Sequence, residues 1–166
     1  MQTKTFILTV LAAVGHARFG QEGLVQADIQ ALSAFGAPGA AGTLAGQSPG
    51  TLLAGANACA KLELADQIVA QLGDDPAVLA AAIKLVAAEK NTNPFANIIP
   101  TICSDATLPV TEALRGIVPL VDPAVEGADV QNANSAQSVQ AAFAANGISV
   151  ADLSAAQGFS NFTEQA

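Results

Sequence analysis

The stretch that decides the fold is residues 57–90, NACAKLELADQIVAQLGDDPAVLAAAIKLVAAEK. Leu62, Ala65, Ile68, Val69 and Leu72 recur at the helical period and make one apolar stripe. Asn57 is placed to cap this helix and Gly73 to end it, leaving Lys61, Glu63, Asp66, Gln67 and Gln71 on its wet side. Asp75 then caps a second helix, with Pro76 at the first helical position where the missing N–H costs nothing. That helix runs to about Lys90 and carries Val78, Leu79, Ala82, Ile83, Leu85 and Val86. A helix so apolar on most sides predicts the centre of a bundle.

Before this pair, Leu24, Val25, Ile29 and Leu32 are spaced for a short amphipathic helix within residues 18–34. Residues 35–56 interleave Gly36, Gly39, Gly42, Gly46, Gly50 and Gly55 with alanine, serine, threonine, Pro38 and Pro49. This composition predicts a mobile or irregular connection and no helix. After the pair, Pro94, Pro100, Pro109, Pro119 and Pro123 break an otherwise apolar region into one-to-three-turn helices and extended pieces. A polar stretch at 126–135 precedes Val139, Ala142 and Phe143, which mark a helix stopped by Gly147. Ser149 and Asp152 announce a last helix by a capping box, closed by Gly158. No strand-like alternation of useful length occurs. The expected fold is all-α, a small irregular helical bundle with Pro-rich connecting segments, in which residues 18–34 join a core at 57–166 as one domain.

Residues 1–17 read as a signal peptide: Lys4 follows a polar start, Phe6 to Val14 is apolar, and Gly15 and Ala17 flank His16 at the cleavage position. The apolar run is too short to cross a bilayer, so the chain is expected not to span a membrane. With the polar ending Phe162-Thr-Glu-Gln-Ala166, a lipid anchor of the GPI kind is not expected. Processing would remove the single histidine and the single methionine, and tyrosine and tryptophan are absent from the whole chain. All fourteen carboxylates lie beyond residue 17 against six basic residues overall, a formal net charge of −8. Nucleic acid and anionic membranes, which need clustered Lys or Arg, are therefore expected not to be partners.

Cys59 and Cys103 are the only cysteines, and on an oxidising secretory route they predict one disulfide. The loop they close would stabilise the fold by about 4 kcal/mol. No further thiol or imidazole stands ready to complete a zinc site, so no metal or cofactor is expected.

The string Gly46-Gln-Ser48-Pro-Gly50 matches G-x-S-x-G, but serine hydrolases need a strand before it, a helix after it and a histidine base elsewhere. Carboxylate pairs are the remaining route to catalysis, as in a glycosidase, with Asp74/Asp75 and Asp122, Glu126 and Asp129 as candidates. Asp75 is better explained as a cap. The Asp122–Asp129 stretch also lacks the alternating order of a calcium loop. Asn161-Phe162-Thr163 is a glycosylation sequon.

Gly55-Ala-Asn-Ala-Cys59-Ala-Lys-Leu-Glu-Leu-Ala-Asp66, Asn93-Pro-Phe95, Ile102-Cys-Ser-Asp105, the segment from Leu114-Arg-Gly116 to Asp122-Pro123 and Gly158-Phe-Ser-Asn-Phe162 together resemble a group of small secreted proteins of filamentous fungi. Those proteins are sometimes labelled cell-wall or surface proteins. The resemblance covers residues 55–163. It implies an extracellular or wall-associated role, with a cell-surface or host protein or polysaccharide as partner, and it carries no catalytic residues. The first expectation is thus a non-enzymatic secreted protein acting at the cell surface or as an effector-like interaction domain. The second is a carrier whose apolar wall, from Ile83, Val86, Phe95, Ile98, Ile99 and Ile102, encloses a lipid-like molecule between helices.

Overall fold

The computed structural model describes residues 20–92, 99–145 and 147–166. The expected leader at 1–17, together with Phe95 and Ile98, lies outside the described residues. The fold is all-α, an irregular helical bundle with six α-helices among the described residues: α1 (Gln26–Gln30), α2 (Ala40–Thr51), α3 (Ala60–Leu72), α4 (Pro76–Ala87), α5 (Ala128–Gln140) and α6 (Val150–Ala156). A minor parallel pair joins β1 (Thr101–Cys103) to β2 (Thr163–Gln165), with Thr101 opposite Thr163. Among the described residues no helix is long and apolar enough to cross a membrane.

The α3–α4 pair forms as its pattern predicts. Leu62, Ala65, Ile68 and Leu72 are buried on α3, and Val78, Ala82, Leu85 and Val86 on α4. The Asp75 carboxylate accepts the Ala77 N–H at 2.9 Å with Pro76 at the first helical position. Asn57 acts one turn before the α3 helix proper, its Oδ1 accepting the Cys59 N–H at 2.7 Å. Cys59 and Cys103 form the expected disulfide, with Cα atoms 4.8 Å apart. It ties the start of α3 to β1, and β2 docks on the same place, where Ser104 N–H donates to the Gln165 carbonyl and Ala58 N–H to its side chain, both at 2.9 Å.

Two readings are corrected. Residues 35–56 are no irregular connection, because most of the segment is α2. Its glycines 42, 46 and 50 are exposed, whereas Ala41, Leu44, Ala45 and Ser48 are buried at helical spacing, followed by buried Leu52. Pro49 cannot donate to the Ala45 carbonyl, and the Ser48 hydroxyl does so instead at 2.9 Å. Packing against α1 and α3 supplies what propensity withholds. Gly36, at φ 68°, lets the preceding turn lie against the end of α3; a Cβ there would stand 2.5 Å from the Gln71 carbonyl oxygen.

The second correction concerns residues 126–147. The helix falls on the polar stretch, as α5, and stops at Gln140, with Val139 exposed and residues 141–145 non-helical. The inner face of α5 is Ala128, Gln131, Ser135 and Ser138. It packs beside a segment, 117–121, that contains Pro119 and joins no strand pair. Gln131 Nε2 donates to the Pro119 carbonyl (2.7 Å), Val118 N–H to Ser138 Oγ (3.2 Å), and Asn132 both accepts from Val121 N–H (2.8 Å) and donates to its carbonyl (3.0 Å). A buried backbone must find partners somewhere, and here helix side chains provide them. The final capping box forms as predicted, Ser149 with Asp152, and Phe159 closes α6 onto the core against Phe162 at a ring distance of 5.7 Å.

Candidate functional site

A cavity of ≈ 340 Å³ opens beside the disulfide. Six pieces of chain wall it: the turn after α2 (Ala54, Gly55), the start of α3 (Ala58, Lys61, Leu62), the segment leaving α4 (Lys90, Asn91, Thr92), the strand region Ile99–Cys103, the segment Pro119–Val121, and Val150 of α6. Most of this lining is apolar, and the polar groups gather on the side contributed by Lys61 and residues 90–92.

The geometry of that side follows from how α4 ends. The chain leaves the helix at Ala88 (ψ 140°), and Asn91 N–H pairs with the Leu52 carbonyl at 2.8 Å. The Ala88 carbonyl, which a longer helix would have used, accepts from Lys61 Nζ at 2.6 Å. A cation at a helix C-terminus also meets the negative end of the helix dipole. Lys90 Nζ spans the cavity wall from the Ala54 carbonyl (2.9 Å) to Thr101 Oγ1 (3.0 Å). Asn91 donates to the Glu22 carboxylate at 2.6 Å, which holds that carboxyl below its ordinary range. Thr92 donates to Asp122 Oδ2 at 3.0 Å.

Lys61 was expected on the wet side of α3 and is instead 5% exposed. Burial, with the Lys90 ammonium as a smaller cause, brings its pKa down to about 7, partly offset by Glu89. Burial also lowers Lys90. The signal was present in the sequence: Lys61 stands at i, i+4, i+7 and i+11 with Ala65, Ile68 and Leu72, on the apolar face itself.

Of the expected apolar wall, Ile99 and Ile102 line the cavity. Val86 is fully buried in the core and Ile83 packs against that core, so neither faces the cavity. α4 turns these two toward the other helices, because its apolar residues run round most of its circumference. The candidate acids are placed apart in role. Asp75 is a helix cap, Asp122 accepts from Thr92 and from Ala124 N–H as a turn residue, and Asp74, Glu126 and Asp129 are exposed. Ser48 of the G-x-S-x-G string is buried within α2. Asn161 is half-buried, its Nδ2 donating to the Glu126 carbonyl at 3.2 Å. Among the described residues no cluster of His, Cys, Asp or Glu is arranged to hold a metal ion. No protein-family model, no curated protein and no solved structure matches this chain.

Proposed function

We propose that this chain is a non-catalytic, secreted ligand-holding domain that binds a small, largely apolar molecule in the cavity between α3, β1 and the 119–121 segment. The observation that carries the reading is the cavity itself, ≈ 340 Å³ with Leu62, Ile99, Ile102, Leu120, Val121 and Val150 in its wall. Its volume lies at the small end of the range for ligand pockets, and a lining of mostly apolar groups with a few placed polar ones is the common pattern. Secretion is supported by the leader-like residues 1–17 and by the Cys59–Cys103 bridge, a bond that persists in oxidising compartments. The cavity moves ligand holding ahead of cell-wall or host-surface binding, which rests on sequence resemblance.

Native mass spectrometry of the protein secreted by its own producer tests this. An added small-molecule mass that disappears on denaturation is the expected result. A bare polypeptide mass, together with no binding from an extract of apolar metabolites, would return the surface-binding role to first place.

A further inference from the structure

The cavity wall carries two lysines, Lys61 and Lys90. Their hydrogen bonds go to neutral oxygens, the Ala88 and Ala54 carbonyls and the Thr101 hydroxyl, and the carboxylate that acts on Lys61 is that of the buried Glu89. An ammonium has three N–H donors. Lys61 uses one and Lys90 two, so each keeps at least one to offer. Two like charges beside an apolar chamber are costly, since burial removes the water that would screen them. We infer that the cavity takes a small amphipathic anion, a carboxylate with an apolar chain, its charged end between Lys61 and Lys90 and its chain along Leu62, Ile102 and Val121. This deepens the ligand-holding reading and rests on it.

The positions fix the polarity of binding. Lys90 is anchored to two residues that themselves line the cavity, which holds its ammonium at the wall. Lys61, on α3, lines the same cavity. A carboxylate there supplies acceptors to both ammoniums, and its chain meets the apolar wall that an inorganic anion would leave empty. The same anion raises the proton affinity of Lys61. Binding near neutral pH therefore draws in a proton and weakens as pH rises. The charged groups that face Lys61 are Lys90 and Glu89; Glu22 reaches the region through Asn91, and Asp122 through Thr92.

The test is an NMR shift titration of the full processed chain with octanoate, 1-octanol and octylamine, three probes with the same chain and different ends. Octanoate is expected to bind about tenfold or more tighter than octanol, the discrimination of one charge-assisted hydrogen bond, with octylamine weakest and shifts centred on Lys90, Ile102 and Val121. Lys90→Met should bring the octanoate-to-octanol affinity ratio down to within about threefold. Octanoate affinity should fall between about pH 6 and pH 9 while octanol affinity stays level. Equal binding of octanoate and octanol would overturn the anionic class and leave an apolar ligand site standing. No shift with any of the three would remove the ligand-holding reading as well. A flat pH profile with tight octanoate would take Lys61 out of the site.

Discussion

α4 and α5 touch each other, have nearly the same length, twelve and thirteen residues, and each buries one face, yet they share almost no chemistry. α4 sets Val78, Leu85 and Val86 against other helices, where the gain comes from apolar area taken out of water. α5 sets Gln131, Asn132 and Ser138 against the backbone of 117–121, where the gain is that buried N–H and C=O groups are not left alone. The Pro-rich segment has no neighbouring strand for most of its length, so a helix of amides and hydroxyls serves as its partner. A polar helix is therefore no evidence of a solvated one when an unpaired extended segment lies beside it.

The largest expected effect comes from cutting the covalent tie between the half built on α3 and α4 and the half built on the extended segment. Cys59→Ser should cost about 4 kcal/mol in denaturant unfolding, and an unchanged midpoint would show that packing alone joins the halves. Within the apolar half, Leu85→Ala should cost about 3 kcal/mol by leaving a cavity at a fully buried site. The polar counterpart is Gln131→Leu. It keeps volume but leaves the Pro119 carbonyl without its donor, for an expected loss of about 2 kcal/mol; a neutral or stabilising result would mean that α5 is held by its shape and not by its amides.

Where the two kinds of contact meet, Lys61 closes the end of α4. Its pKa of about 7 lies below the unfolded 10.5, so between these values the unfolded chain holds the extra proton and stability should rise with pH, on the order of 1 kcal/mol per unit. Lys61→Met should flatten that slope, and a slope surviving in the variant would assign it elsewhere. The smallest effect is expected from Val139→Ser on the outer face of α5, within about 0.5 kcal/mol, although the bare apolar pattern ranks Val139 as an inner residue.

These cases mark what the sequence made legible. The α3–α4 pair, the Asp75 and Ser149 caps, the disulfide and the all-α class follow from local signals, because periodicity and capping are properties of neighbours in the chain. α2 was not legible: its inner face is built of alanine, serine and one leucine, and the Ser48 hydroxyl that compensates Pro49 is a detail no composition reveals. α5 was misplaced because its reason for existing lies in another segment, 117–121. At the site, Ile99 and Ile102 of the expected wall line the cavity, whereas Val86 and Ile83 belong to the core. Lys61 was overlooked because its charge outweighed its position on the stripe.

The bridge between Cys59 and Cys103 encloses all of α3 and α4 in one covalent ring, with β2 laid across its closure. A protease that severs a single peptide bond anywhere inside that ring therefore releases nothing. The nicked molecule gains the mass of one water, runs as two pieces only after reduction, and keeps both fragments tethered at the point where the cavity and the last strand meet. That is a built-in tolerance to the first cut.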